Sequence, residues 1–157
     1  MTPSLSLNWT ALLDGLRATP GRLRTLMAEA PPGEVRCYES DARAVCEVMA
    51  HLCAVESPFR ARLVHMTLQE NPSVAAIADS LTGGYDLDCP AAILLDTFSE
   101  LRAGTVAFLE NLPPAARARP ALHAETGPTT LRDQVAALLG HDEVELKRLT
   151  ELLEALR

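Results

Sequence analysis

A chain of 157 residues, 48% hydrophobic but only 4% aromatic, is long enough for one domain with its own core, and its wealth of Ala and Leu favours helices. Its 21 acids outnumber 14 bases, for a net charge of −7 without a basic stripe, which argues against nucleic acid as a partner. No run reaches the roughly 18 apolar residues of a membrane span, and the N-terminus lacks a basic start followed by an apolar stretch, so a cytoplasmic protein that neither crosses nor binds a membrane is expected.

In chain order, Leu12, Leu13, Leu16, Leu23, Leu26 and Met27 predict a first helix over 10–29. Thr19-Pro20 predicts a break or kink in it, since threonine can cap and proline can open a new helical turn. Pro31-Pro32-Gly33 should end the element. A second helix is expected from the capping pair Ser40-Asp41 to about Gln69, on Val45, Val48, Met49, Leu52, Val55, Phe59 and Leu63, with a kink at Pro58. Residues 71–90 form a long crossover, containing Asn71-Pro72, Gly83-Gly84 and Cys89-Pro90, with a short helix expected at 74–81. The third helix, 91–112, follows Leu94, Phe98, Leu101, Thr105, Phe108 and Leu112, and Pro113-Pro114 turns the chain into a loop over 119–129. Thr130 with Asp133 predicts a capping box for a fourth helix on Leu131, Val135, Leu138, Leu146, Leu149 and Leu153. The predicted fold is therefore all-α: a single domain over 1–157, a four-helix bundle with a long crossover between helices 2 and 3. The cysteines Cys37, Cys46, Cys53 and Cys89 have neither zinc-knuckle nor disulfide-framework spacing and are expected as reduced thiols.

Polar residues interrupt the apolar faces. Glu56 projects into the stripe of the second helix, with His51 at its edge, and Arg102 into that of the third. On the fourth helix Asp142 and Glu145 fall within the stripe and His141 at its margin, four residues before Glu145. Buried carboxylates need partners. Converged, Glu56, Asp142, Glu145 and Arg102 carry a net −2, which a divalent cation would balance. Two histidines and a carboxylate are a recurring ligand set, so His51, His141 and Glu145 are candidate ligands, with Glu56, Arg102 and Asp142 behind them. Histidines at the margins of helix faces are equally what partly exposed bundle edges carry, with Glu145 reaching outwards.

Several segments share a pattern: Val45 to Glu56 with His51-Leu52, Phe98 to Arg102, His123 to Leu131 with Gly127, and Gly140 to Glu145. Together with Asn71-Pro72 and Gly84-Tyr85-Asp86 in the crossover, their order resembles the DinB-like, or YfiT-like, metal-binding family of helical bundles. That resemblance implies one histidine ligand from the second helix, matched by His51, and two from the fourth, of which His141 matches the first. Glu145 stands where the second is usually histidine. It further implies a divalent metal such as Zn, Ni, Mn or Fe, a thiol S-transferase or hydrolase activity, a small-molecule thiol or electrophile as substrate, and a homodimer. His123 either hydrogen-bonds near the mouth of the site, behind the ligands, or anchors its own loop, and the anchor is the favoured expectation. The alternative is a non-catalytic, stress-related bundle whose interior polar residues form a metal-free ion-pair network.

Overall fold

Residues 7–29, 43–79 and 81–156 are described by the computed structural model. Asn8 caps α1 (Trp9–Ala28), its side chain accepting from the Ala11 N–H at 2.8 Å. The helix continues through Pro20, so the expected break does not form. Proline cannot donate to the carbonyl four residues back, that of Leu16, and Arg102 Nη1 donates to this carbonyl instead, at 3.1 Å. α2 (Arg43–Leu68) likewise runs through Pro58. The predicted start at Ser40-Asp41 and the stop at Pro31-Pro32-Gly33 lie outside the described residues.

Between α2 and α3 (Ala91–Glu110) the described residues of 74–81 do not form the expected short helix. Ser73–Val74 is instead a strand, β1, and the predicted loop folds into a hairpin of β2 (Pro120–His123) and β3 (Gly127–Thr130). The sheet has the order β1-β2-β3, with β1 parallel and β3 antiparallel to β2. Backbone groups of a segment laid across a bundle end need partners. The hairpin supplies them, since the Leu122 and Ala124 N–H groups donate to the Pro72 and Val74 carbonyls, each at 2.9 Å. Thr130 ends β3 and caps α4 (Leu131–Ala155) through the expected box, with Thr130 Oγ1 accepting from the Asp133 N–H and Asp133 Oδ2 from the Thr130 N–H.

α1 and α2 each pack against both α3 and α4, so α1 faces α2 across the bundle rather than beside it. The core is in two parts. One gathers Leu12, Leu16, Phe59, Leu109, Val135 and Leu138, and the other Leu23, Met49, Leu94, Phe98, Leu146 and Leu149. Between them on the four helices lie the buried polar residues Thr19, Glu56, Arg102 and Asp142. Cys46, expected as a reduced thiol, is disulfide-bonded, whereas Cys53 and Cys89 are free. Burial, and then the charge of Glu56, push the Cys53 thiol up to about 12, so it packs as a small hydrophobe.

Candidate metal centre

His51 lies on the buried face of α2 and is 4% exposed. Its Nδ1 is 2.7 Å from the Leu81 carbonyl oxygen. A carbonyl only accepts, so Nδ1 carries a proton, and in the neutral ring Nε2 keeps its lone pair. The crossover segment delivers that carbonyl through the turn at Gly83-Gly84, both with positive φ, 61° and 72°. A Cβ on Gly83 would stand 2.9 Å from Ala54 Cβ, so the turn rests against α2 at a distance only glycine permits.

α4 contributes His141 and Glu145, stacked one turn apart. His51 Nε2 and His141 Nε2 are 3.0 Å apart, and His141 Nε2 is 4.0 Å from Glu145 Oε1. One donor atom from each residue lies within 4.8 Å of the others, and since 2.0–2.1 Å bonds impose a spacing of roughly 3.3 Å in a tetrahedral zinc site, Glu145 would have to draw in to share an ion with the two imidazoles. Glu145 is 7% exposed, and its Oε2 has no hydrogen-bond partner, the Arg148 guanidinium standing off at 3.8 Å. His141 Nδ1 is also buried without a partner. Burial, then the neighbouring His51, hold the His141 pKa below the usual imidazole value, while Asp142 and Glu145 act the other way. A neutral imidazole is the form that binds a metal. The residues therefore fit a divalent cation: two imidazoles converge, one with its Nδ1 proton directed at the Leu81 carbonyl, beside a buried carboxylate that lacks a hydrogen bond at Oε2. The edge-of-bundle alternative does not describe His51 and Glu145, which are both buried.

Glu56, Arg102 and Asp142 form a separate assembly. Arg102 is 1% exposed and stacks over Phe98, 4.8 Å from the ring centroid. Its Nε and Nη2 donate to the two oxygens of Glu56 at 2.7 and 3.0 Å, and its Nη1 and Nη2 to those of Asp142 at 2.6 and 2.9 Å. With the Leu16 carbonyl, all five guanidinium N–H groups are satisfied. The Thr19 hydroxyl donates to Asp142 Oδ2 at 2.6 Å. Burial lowers the Arg102 pKa, but the bonds and charges of Asp142 and Glu56 outweigh it and the net shift is upward. No hydrogen bond joins this assembly to His51, His141 or Glu145 among the described residues, so the six residues grouped by sequence form two neighbouring clusters.

His123 ends β2, where its Nδ1 accepts from the Glu125 and Thr126 N–H groups at 3.1 and 3.3 Å and anchors the hairpin turn as expected. It also lines, with Phe59, Arg62 and Ile77, a cavity of about 180 Å³ whose wall includes two of the three candidate ligands, His51 and His141. Arg62 was overlooked in the sequence, although His51, Val55, Phe59 and Arg62 follow one another at four-, four- and three-residue steps along one helix face. The Leu81 carbonyl could not have been found by residue type.

A family model described as the DinB superfamily matches residues 15–146. No curated protein matches the sequence. Among solved structures, YfiT from Bacillus subtilis, described as a probable metal-dependent hydrolase with an unusual four-helix bundle topology, aligns with a TM-score of 0.73 at 17% identity, over 99% of this chain and 93% of that one.

Proposed function

The chain belongs to the DinB superfamily, and we propose that it binds a divalent metal through His51, His141 and Glu145 and acts as a metal-dependent hydrolase or thiol S-transferase. The observation that carries this reading is the convergence of three donor atoms within 4.8 Å, beside a buried carboxylate oxygen with no hydrogen bond. The description of YfiT as a probable metal-dependent hydrolase supports it at the level of shared fold. Zn, Ni, Mn and Fe all accept two imidazoles and a carboxylate. When bound, such an ion acidifies a water or thiol and polarises a bond to be broken.

The chain's own residues prepare that chemistry. The Leu81 carbonyl accepts from the Nδ1–H of His51, so that Nε2 is the nitrogen turned towards His141 and the centre. Glu145 supplies negative charge, which makes the centre a weaker acid than three imidazoles would. Val55, Phe59 and Ile77 give the adjoining cavity an apolar wall that limits access of bulk water.

Elemental analysis of protein purified without a histidine tag tests the reading. About one metal per chain is expected, with most of it lost in His51→Ala. Added Zn, Ni or Mn should raise the thermal midpoint of stripped wild-type protein, by the equivalent of about 2.7 kcal/mol when free metal is about a hundredfold above Kd. A wild type with no stoichiometric metal and no thermal response would remove the basis of the proposal.

One observation favours a second, non-catalytic reading, in which the interior is a metal-free ion-pair network: every Arg102 donor is partnered by protein alone. His141 and Glu145 lie outside that network, so it coexists with a metal centre. We further propose a second copy of the chain as partner, which sedimentation velocity would detect as a dimer.

A further inference from the structure

The cavity lined by the candidate ligands His51 and His141 contains a cation with no carboxylate partner. Arg62 Nη1 donates to Gln134 Oε1 at 2.9 Å and its Nη2 to the Ala75 carbonyl, while the guanidinium rests 5.1 Å from the Phe59 ring centroid. All three neighbours are uncharged, and no ion pair to Arg62 is found among the described residues. Burial alone moves its pKa, downwards, with no acid to hold it up. Arg60 and Arg119 are also bonded to neutral acceptors, but neither lines this cavity, whereas Arg62 does. Two of the five N–H groups of Arg62 are occupied by the neutral acceptors, which leaves the rest for a ligand.

His123 adds a second donor to the same cavity. Its Nδ1 accepts from two backbone N–H groups, so in the neutral ring the proton sits on Nε2, which has no protein partner among the described residues. At about 180 Å³ the space is smaller than the roughly 300–1,000 Å³ of pockets for drug-sized ligands. Asp79 and Glu125, both exposed, stand on the lining as well. They disfavour a phosphate, whose charge of about −1.5 to −2 would face two acids with one guanidinium to balance it. A single carboxylate matches the guanidinium fork and its charge.

We propose that this cavity receives a small substrate bearing one carboxylate, bound by Arg62 and by His123 Nε2–H, with its reacting end turned towards His51, His141 and Glu145. The orientation rests on the metal-binding reading above, whereas the recognition of the carboxylate does not. Arg62 and His123 are positioning residues here: they fix which end of the substrate reaches the centre.

Calorimetric titration can test the two parts separately. Zinc-loaded protein is titrated with 3-mercaptopropionate and with its neutral amide, and zinc-free protein with butyrate and butyramide. In both pairs the acid should bind wild-type protein about tenfold or more tightly than the amide, the scale of one charge-assisted pair. Arg62→Gln should bring that ratio close to one while leaving zinc stoichiometry unchanged, and Arg62→Lys, which keeps the charge but loses the fork, should retain part of it. Equal binding of acid and amide to the wild type overturns the proposal, and so does a preference that survives in Arg62→Gln. If zinc does not bind at all, the metal reading fails, and the butyrate pair still decides the carboxylate.

Discussion

Glu145 is where this chain departs from the pattern it resembles, with a carboxylate in place of a second imidazole one turn after His141. The structure leaves that carboxylate buried and without a hydrogen bond at Oε2, so the residue is not turned out to solvent. Glu145→His should raise zinc affinity by about tenfold or more, because imidazole is the preferred ligand and the replaced side chain occupies the same turn. Competition against a chromophoric chelator would measure it, and an unchanged affinity would place Glu145 outside the coordination sphere. His141 and Glu145 were legible in the sequence because a four-residue step on an apolar helix has one structural meaning. His51 was legible as a residue near a stripe, but its tautomer was not. That depends on the backbone of Leu81, thirty positions away, and no residue-type rule announces a carbonyl.

At the scale of elements, the four helices could be read from three-and-four spacing, and the capping box of α4 from two residues. The strands could not. Two residues in β1 and four each in β2 and β3 are too short for alternation to declare itself, and pairing between segments some fifty residues apart is a tertiary event. Pro20 misled for a related reason: the rule that proline ends a helix assumes its orphaned carbonyl finds no other donor, and here Arg102 provides one. The crossover is the element whose placement the site depends on most. Gly83→Ala should lower zinc affinity by about tenfold, through displacement of the Leu81 carbonyl from His51, since second-layer contacts carry effects of about 10–100-fold. Gly84→Ala is the control. It has a similar positive φ but nothing within 4 Å of the added methyl, so it should cost folding stability without the loss in affinity. Equal losses of affinity in the two variants would assign the effect to backbone strain rather than to the close approach on Ala54.

In the whole molecule, one guanidinium touches all four helices: its own, Leu16 on α1, Glu56 on α2 and Asp142 on α4. Arg102→Met should destabilise the protein by about 3–5 kcal/mol, because it strands two buried carboxylates. Urea denaturation would measure the change, and adding Glu56→Leu and Asp142→Leu should restore part of the loss, since the stranded charges are then gone. A loss under about 1 kcal/mol in the single variant would mean that the carboxylates are hydrated or protonated instead. Sequence periodicity assigned each of these residues to an inward face but not to a height along the bundle axis, which is why one polar cluster was expected where two exist. Thr19 escaped notice because a hydroxyl on a helix face carries no charge to be explained. The separation of the two clusters has a consequence for how such a bundle can vary in descent. Because every guanidinium donor that ties the helices together is satisfied without His51, His141 or Glu145, substitutions at those three positions leave the tie in place. A bundle held at its centre in this way can change side chains one turn along without unstitching its helices.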